Sequence, residues 1–508
     1  MSKTPEAKGN KQKIKTDSFF QFMLLKEQRN QFLIFSLLFF ILYILLIKIV
    51  PFPPSISDSG GYVNSALSNR IDTYRPFGYS QFLISIHKWS TSIHFLVFVQ
   101  YILNALCTLA LIFSIKYFFR PKNSILFYLF ALLAIFSPLT LYLTNTVLSD
   151  SLFTSLTILW VTSGLWMLYD QKLVYKILFY STNLIFLFLL ISVRYTGLVY
   201  IGITVPLILY VFYKRSIYVS IILALVPIIF LFGYYKAQKA KVYDLVKVNT
   251  FSGFSGWQLA NNALNCVSHI KIDPNKIENT QVREFAEGVV MYDTLLILKE
   301  EPSAKFMWDK NMPLKAYCYY QCDKTRTPYV YQWNYLGEHV YSKFGKYIIT
   351  HYPIAFTKHY LLPNFFTTLY PKHDQIIKRY RTDGIPSDLI KDWFKLDPST
   401  YSSSKSTLFE KNFFLFPISR LLIWVLVFVS LVLYVARRKK IAWVGFQQQM
   451  LWVLIAFLAI YTAFNVYASP FELRYIAPVH LVQIAMLYIL ANSVNTEFLS
   501  RLIRKGTN

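Results

Sequence analysis

The sequence predicts an α-helical polytopic membrane protein with about ten transmembrane helices and a mixed, mainly helical extracytoplasmic domain. Of the 508 residues, 55% are hydrophobic, 18% aromatic and only 15% charged, a balance that excludes an ordinary soluble core. Many apolar runs are long enough to cross the ~30 Å of hydrocarbon in a bilayer. The hydrophilic stretch 235–412 is too long to be a loop without structure of its own, and it is therefore the predicted domain.

Each predicted transmembrane helix is delimited by the length of an apolar run and by the charges that flank it. The ten predicted spans are residues 31–50, 93–115, 125–143, 151–169, 177–193, 196–213, 217–234, 413–436, 447–468 and 475–494. They divide the chain into a disordered, basic cytoplasmic tail (1–30), a seven-helix membrane module whose outer loops carry the candidate site (31–234), the extracytoplasmic domain (235–412), three C-terminal transmembrane helices (413–494) and a second cytoplasmic tail (495–508).

The orientation of the spans follows from the basic residues of the short loops, which the positive-inside rule assigns to the cytoplasm. They fall on one side of the predicted bilayer: Lys8, Lys11, Lys13, Lys15, Arg120, Lys122, Lys172, Lys176, Lys214, Arg215, 437–440, Arg501, Arg504 and Lys505. Both termini are then inside, and in a bacterium the membrane is the cytoplasmic one. The same distribution explains the net charge of +26 and argues against a nucleic-acid partner, because no basic face alternates with exposed aromatic residues.

Three of the four cysteines, Cys266, Cys318 and Cys322, fall in the predicted outer domain, and Cys107 lies within the second span. An oxidising compartment permits a disulfide from Cys266 to Cys318 or Cys322, which leaves one thiol over. A metal site is the less favoured alternative, because zinc sites usually use four nitrogen or sulfur ligands and no histidine stands at a suitable spacing.

Two acidic residues at the outer ends of predicted spans are the candidate catalytic residues. Asp58 follows the first span and would begin a short interfacial helix over 57–67, and Asp150 stands in the turn before the fourth span. Each also has a simpler interpretation as a helix N-cap, where the backbone dipole stabilises an anion. Asp72 in the same loop is explained equally well as a solvated acid.

Arginines accompany these acids on the side where the positive-inside rule disfavours them. Arg194-Tyr195 closes the fifth span and Arg474-Tyr475 opens the tenth. The two explanations are snorkelling to lipid headgroups and binding of a phosphate. Transfer of a group from a lipid phosphate to an external alcohol or amine needs a base near the acceptor. It also needs cations, or a metal held by carboxylates, on the leaving group.

Several short motifs together carry a resemblance to a known family. They are Asp58-Ser-Gly-Gly-Tyr62 with Ala66, Arg75-Pro-Phe-Gly-Tyr79 with Phe82-Leu83, Ser137-Pro-Leu-Thr-Leu-Tyr142 running to Leu148-Ser-Asp150-Ser-Leu-Phe153, Arg194-Tyr195-Thr-Gly197, and Arg474-Tyr475-Ile-Ala-Pro478. In their order and sidedness the chain resembles the GT-C superfamily of integral-membrane glycosyltransferases, which includes protein mannosyltransferases and aminoarabinose lipid A transferases. The resemblance covers 31–234 and the final spans.

The resemblance implies a GT-C-like helix arrangement and an inverting transfer of a sugar from a polyprenyl-phosphate donor to a lipid, glycan or protein acceptor. It makes Asp58 the candidate base and Asp150 a second acid that assists metal or phosphate binding. The residues that would contact substrate are Tyr62, Arg75, Arg194, Tyr195, Arg474 and Tyr475. The chain departs from the family's pattern in two places: Asp58 has no adjacent acid, and Ser-Asp stands at 149–150 where relatives often have Ser-Glu. These departures leave open which acceptor is used and whether a divalent metal, Mg or Mn, takes part.

A transporter or flippase of a lipid-linked sugar is the first alternative, and a noncatalytic receptor or scaffold is the second. A transporter favours charged or broken helices near mid-bilayer and internal pseudo-symmetry, whereas these acids cluster at one surface and no halves repeat. A scaffold leaves the order of the acids and arginines unexplained.

Two segments of the predicted domain have further interpretations. Residues 253–262 combine glycine, Trp257, Asn261 and Asn262, which suits either stacking on a sugar or an ordinary turn into a helix. The aromatic stretches 347–356 and 359–363 are typical of segments resting on headgroups, and His351 and His359 within them are given no role.

Overall fold

The structure is a computed structural model. It describes residues 18–50, 53, 57–169, 171–291, 302–371, 387–396, 416–438, 441, 443 and 445–494. These residues form helices and no strand. The prediction of an α-helical polytopic architecture is thereby confirmed, whereas the mixed character predicted for 235–412 finds no support among the described residues.

Ten helices are long and apolar enough to cross a membrane among the described residues, which agrees with the predicted number. They are Lys26–Ile49, Ile93–Phe119, Ser124–Thr144, Ser149–Leu168, Leu173–Val193, Tyr195–Phe212, Ile217–Val246, Phe416–Arg437, Gly445–Ala468 and Leu473–Val494. The third is interrupted where Ser124–Ile135 ends and Pro138–Thr144 begins. Pro138 causes this break, because proline has no N–H for the helix and fits only its first turn.

The N-terminal part of the first span departs from the prediction. Ser18 and Gln21 form a capping box on the helix Phe19–Leu24, so the predicted disordered tail is wrong for residues 18–30. Lys116 of the second span is buried and donates to Glu27 Oε1 at 3.0 Å, so Glu27 belongs to a packed helix end. Residues 1–17 and the predicted tail 495–508 lie outside the described residues.

The fourth and tenth spans form the centre of the bundle. In the most apolar 18-residue stretch of each span, 94% of the residues are buried in the fourth span and 83% in the tenth, against 17% in the first and seventh. The fourth span carries small residues such as Ser151, Ser155 and Gly164, which let neighbouring helices approach closely. Asp150 lies in the first turn of the fourth span and Asp58 contacts Arg474 of the tenth, so both candidate acids stand at this centre.

The hydrophilic stretch has a core of its own, formed by residues between Trp257 and Tyr360. Its helices are Phe254–Val267, Thr280–Met291, Lys305–Trp308, Pro313–Thr325, Tyr329–Leu336, Gly337–Tyr341, Ser342–His351, Pro353–Phe356, Thr357–Leu361 and Leu362–Leu369, with a short turn Pro274–Lys276. We call residues 254–369 the helical domain. The seventh span continues to Val246, so the predicted boundary at 234 falls inside a helix.

The predicted disulfide is not present in the helical domain. All four cysteines are free thiols, and Cys266 is buried with its Sγ directed to the carbonyl of Ala263. Cys318 and Cys322 lie one turn apart on Pro313–Thr325, where their thiols contact each other and not Cys266. The prediction failed because sequence spacing gives no information on which helix faces meet.

The helical domain is fastened to the link between the ninth and tenth spans. Asn364 donates to the carbonyls of Val466 and Ser469, both at 2.8 Å, and accepts from the N–H of Phe471. Asn262 donates to the carbonyl of Tyr467 at 2.9 Å. These bonds fix the chain immediately before Arg474.

Candidate functional site

The first part of the site is built by the segment that follows the first span. The predicted short helix is confirmed as Ser57–Ser68, with Asp58 in its first turn. A second helix, Gly78–His87, packs against it. Between the two helices, Asp72 accepts from the N–H of Tyr74 at 3.1 Å, and this turn directs Arg75 back towards Asp58.

Asp58 lies between two arginines. Its Oδ1 accepts from Arg75 Nη2 at 2.5 Å, and its Oδ2 accepts from Arg474 Nη1 at 2.6 Å. Arg75 comes from the same loop, whereas Arg474 comes from the start of the tenth span. Both carboxylate oxygens are thus engaged by guanidinium groups, so the interpretation of Asp58 as a simple N-cap does not account for its side chain.

Asp150 occupies the equivalent place in the first turn of the fourth span. Its side chain makes no capping bond, so the capping interpretation is wrong for Asp150. Instead Oδ1 forms a hydrogen-bonded ion pair with Arg194, and Oδ2 lies 3.7 Å from Arg474 Nη1. Arg474 is therefore shared by the two acids.

We call Asp58, Asp150, Arg75, Arg194 and Arg474 the acid–arginine cluster. The side chains of its three arginines are only 12–15% exposed. At this degree of burial, ion pairs and charge-assisted hydrogen bonds are strong, and unpaired charge is costly. A third acid, Asp72, lies with Oδ2 3.9 Å from Arg75 Nη1, so three acids balance the three arginines, and an anionic ligand has to compete with carboxylates for the guanidinium groups.

Aromatic rings enclose the cluster. Arg75 lies over the rings of Tyr62 and Tyr74, at 5.0 and 4.3 Å, and Tyr74 also accepts a hydrogen bond from Arg75. Tyr475 lies under both Arg194 and Arg474, at 5.3 and 5.5 Å. Cation–π contacts of this kind hold guanidinium groups in place without neutralising them.

The arginines set the protonation state of Asp58. Burial alone would raise the pKa of the Asp58 carboxyl, but the charges of Arg474 and Arg75 and the hydrogen bond from Arg474 outweigh it. They hold this pKa well below its usual range. A carboxylate with so low a pKa is a weak proton acceptor. Asp58 must lose at least one arginine partner before it can act as a base.

Asp72 is in a different electrostatic position. Burial raises the pKa of the Asp72 carboxyl, and Arg75, with Nη1 3.9 Å from Oδ2, offsets that burial only in part. The Asp72 carboxylate is therefore the more readily protonated of the two.

Two glycines, both in motifs that resemble the GT-C family, make room for this arrangement. A Cβ on Gly61 would stand 1.7 Å from Arg75 Nη1, and a Cβ on Gly78 would stand 2.4 Å from the carbonyl oxygen of Ser192. Gly61 thus lets Arg75 reach Asp58, and Gly78 lets the loop pack on the end of the fifth span, just before Arg194.

Gln100 of the second span ties the two acidic segments together. Its Oε1 accepts from Tyr79 in the first loop, and its Nε2 donates to the carbonyls of Thr144 and Thr146 before Asp150. Tyr62 donates to or accepts from Ser149 at 2.8 Å, which makes a second tie. The sequence prediction gave no role to Gln100 or Tyr74, and it included Ser149 only as the motif residue before Asp150. A glutamine inside an apolar span was the one signal that pointed to them.

Some predicted residues lie elsewhere. Tyr195 is not part of the cluster: its ring packs on Phe251 at 4.7 Å. Trp257, Asn261 and Asn262 are buried, and their side-chain N–H groups donate to carbonyls within the protein, so they form an ordinary helix and not a sugar platform. The segments 347–356 and 359–363 contribute buried side chains to the core of the helical domain, and His359 stacks on His269.

The donor set does not fit a divalent ion. Among the described residues no three His, Cys, Asp or Glu side chains form a metal-binding group, and the oxygens of Asp58 and Asp150 face arginine cations. Hard cations such as Mg²⁺ need several oxygen ligands. We derive no step through a metal, and its use stays an untested prediction.

A small cavity of about 10 Å³, which is room for about one water molecule, adjoins the cluster at Tyr475. It is lined by residues of the helical domain and of the last two spans, namely Asn364, Thr368, Tyr461, Thr462, Asn465, Phe471, Glu472, Tyr475, Ile476 and Val479.

The arrangement can bind a phosphate and, once a partner of Asp58 has moved, accept a proton beside it. Comparison of the chain with protein-family models, with curated proteins and with solved structures gave no match in any of the three.

Proposed function

We propose that this protein is a GT-C-type membrane glycosyltransferase. It moves a sugar from a polyprenyl-phosphate donor to a lipid, glycan or protein acceptor on the extracytoplasmic side, with inversion at the sugar carbon. The observation that carries the proposal is the sharing of Arg474 between Asp58 and Asp150, at 2.6 and 3.7 Å. A phosphate that enters the cluster competes with both acids for the same guanidinium.

The competition supplies a way to activate the base. When the donor phosphate takes Arg474 and Arg194, Asp58 loses one of its two cationic partners, and its basicity rises. The acceptor hydroxyl then gives its proton to Asp58 while its oxygen attacks the sugar carbon. The bond from that carbon to the phosphate oxygen breaks, and the arginines stabilise the negative charge left on the polyprenyl phosphate.

Asp58→Asn tests the proposal most directly. Asparagine keeps the size of the side chain but cannot accept the proton, so transfer should fall by roughly 10²–10⁴-fold with donor binding nearly intact. The assay uses the purified full chain, a polyprenyl-phosphate sugar and candidate acceptors, with mass spectrometry of the products.

The matched control is Asp273→Asn. Asp273 is exposed and caps a short turn through Asn275 N–H, a role that asparagine fills equally well. Transfer by the control should match the unmodified protein. Near-normal turnover by Asp58→Asn would end the assignment of Asp58 as the base.

The extracytoplasmic position of the cluster rests on the basic loops at the other end of the spans. Cysteines introduced near positions 60 and 270 should react with an impermeant reagent only from outside, and those near 122 and 438 only from inside. Labelling of 270 and 438 from the same side would contradict the orientation.

A transporter or flippase is less well supported. Its coupling charges are expected near mid-bilayer, where a substrate crosses. Here Asp58, Asp150, Arg75, Arg194 and Arg474 all stand at the first or last turns of spans or in the loops beside them. This placement fits chemistry at a membrane surface better than passage through the membrane.

A further inference from the structure

Arg420 is a buried cation of the eighth span that the proposed reaction does not use. Its side chain is wholly buried, with 0% exposure. The Nε–H donates to the carbonyl of Thr368 at 2.9 Å, and Nη1 donates to Gln483 Oε1 at 3.4 Å. Nη2 has no acceptor among the described residues.

Arg420 differs from the other inward-facing cations of the membrane helices in having no acid beside it. Lys116 meets Glu27, Arg194 meets Asp150, and Arg474 meets Asp58. In the described part of the chain no carboxylate lies within ion-pair distance of Arg420. Burial of an unpaired charge at membrane depth is costly, and such residues therefore mark ligand sites or ion pathways.

The neighbours of Arg420 also lack acceptors. Trp424 Nε1 and Gln483 Nε2 are buried and have no hydrogen-bond partner among the described residues, and the same holds for His480 Nδ1. The Arg420 guanidinium lies 5.9 Å from the Trp424 ring. Indole and amide N–H groups only donate, so the group that would satisfy them together with Arg420 is an acceptor with several oxygens.

The position of these donors favours a lipid as the source of those oxygens. Arg420 stands one turn, about 6 Å, inside the span Phe416–Arg437, whereas Gln483 stands almost three turns inside Leu473–Val494, so the Arg420 side chain is the one nearer the headgroups. Beside Arg420 on the helix, Leu421 and Leu422 are exposed to the bilayer. An acyl or prenyl chain can lie along this apolar surface.

We propose that Arg420, Trp424 and Gln483 form a binding site for the phosphate of an anionic lipid, separate from the acid–arginine cluster. We call these three residues the Arg420 site. Arginine suits this ligand because its planar fork meets phosphate oxygens in pairs. The inference does not depend on the glycosyltransferase proposal, since it requires no transfer reaction.

The test is lipid retention by the purified full chain in neutral detergent, measured by native mass spectrometry. The probe is dioctanoyl phosphatidylglycerol, with zwitterionic dioctanoyl phosphatidylcholine for comparison. Arg420→Gln should bind phosphatidylglycerol about tenfold more weakly than the unmodified protein. Arg437→Gln, the same substitution at the other end of the same helix, should bind it normally.

A second variant keeps the test valid if Arg420→Gln fails to fold. Gln483→Glu places a carboxylate where Arg420 Nη1 already finds an oxygen at 3.4 Å. It should neutralise Arg420, raise the Tm in phosphatidylcholine and abolish selective retention of phosphatidylglycerol.

Three outcomes overturn the proposal: equal retention by Arg420→Gln and the unmodified protein, equal loss in Arg437→Gln, or unchanged selectivity in Gln483→Glu. The last measurement adds inorganic phosphate as a competitor of phosphatidylglycerol. If it displaces phosphatidylglycerol at similar concentration, the anion site stands but its ligand is a free phosphate and not a lipid.

Discussion

The acid–arginine cluster and the Arg420 site lie at the same end of the helix bundle and both draw on the tenth span, yet their charges are balanced differently. In the cluster, Arg474 reaches Asp58 and Asp150, so each acid is paired. At the Arg420 site, the guanidinium meets a carbonyl and an amide oxygen. The first arrangement must exchange partners to bind an anion, whereas in the second no described carboxylate pairs with the cation.

This difference has a consequence for how ligands are selected. An anion entering the cluster has to displace carboxylates, so only a group that binds several arginines at once gains from the exchange. An anion at the Arg420 site displaces no charge. We therefore expect the cluster to be the more selective of the two, and substitutions there to have the larger effects.

The largest effect should come from Arg474→Ala, which removes the cation that the two acids share. Turnover should fall roughly 10²–10³-fold, because charge on the leaving phosphate loses its stabilisation. Arg474→Lys should retain part of the activity, since the charge remains but the paired hydrogen bonds do not. Measurement of kcat and KM with a polyprenyl-phosphate sugar gives the comparison, and equal values in all three proteins would reduce Arg474 to a headgroup anchor.

Asp150→Asn should have a smaller effect of a different kind. Asp150 orients Arg194 and is not the residue that accepts the proton of the acceptor hydroxyl. The variant should therefore bind the donor about tenfold more weakly, and its turnover should also be reduced. Binding of the donor to the purified variant, measured apart from turnover, separates the two acids. A variant with reduced turnover and unchanged donor affinity would show that Asp150 acts as Asp58 does.

Gly61→Ala should disturb the cluster through Arg75 alone. The new methyl group would overlap Arg75 Nη1 and push it away from Asp58. This overpacking should cost about 1 kcal/mol and lower turnover by a few fold. Gly60→Ala is the matched control on the same helix, because its methyl group would meet only Ser387 Oγ, at 3.9 Å. Equal activities of the two variants would contradict the role given to Gly61.

The smallest effect concerns acid stability. The arginines lower the folded-state pKa of Asp58, so its stabilising contribution is complete above the unfolded pKa of about 4 and is lost as the pH falls towards the folded value. The Tm of the unmodified protein should therefore drop more steeply from pH 5 to pH 3 than that of Asp58→Asn. Parallel curves would show that Asp58 does not carry this ion pair in solution.

The parts of the fold that hydropathy controls were predictable. Ten spans follow from apolar runs, because the bilayer requires about twenty apolar residues wherever a helix crosses it. The error at 18–30 arose because Glu27 and Gln28 look like tail residues until Lys116 is brought beside them. Their packing depends on a residue almost ninety positions away.

The candidate site was predictable for charged residues that are unusual for their place, and Tyr62, Arg75 and Tyr475 followed from the motifs that resemble the GT-C family. Asp58, Asp150, Arg194 and Arg474 stood out because charges at the outer membrane boundary are unexpected there. Tyr74 and Ser149 did not stand out, since tyrosine and serine are common in such loops. The two interpretations of Trp257 and Asn262 stayed open in sequence for the same reason: an indole and an amide look alike whether they meet a ligand or a buried carbonyl.

The ion pair between Asp58 and Arg474 joins residues 416 positions apart, one in the first loop and one in the last span. During synthesis Asp58 therefore leaves the ribosome long before its partner exists. A truncated chain that stops before the tenth span leaves Asp58 and Asp150 short of the cation they share. Completion of the last helix therefore both closes the fold and assembles the site.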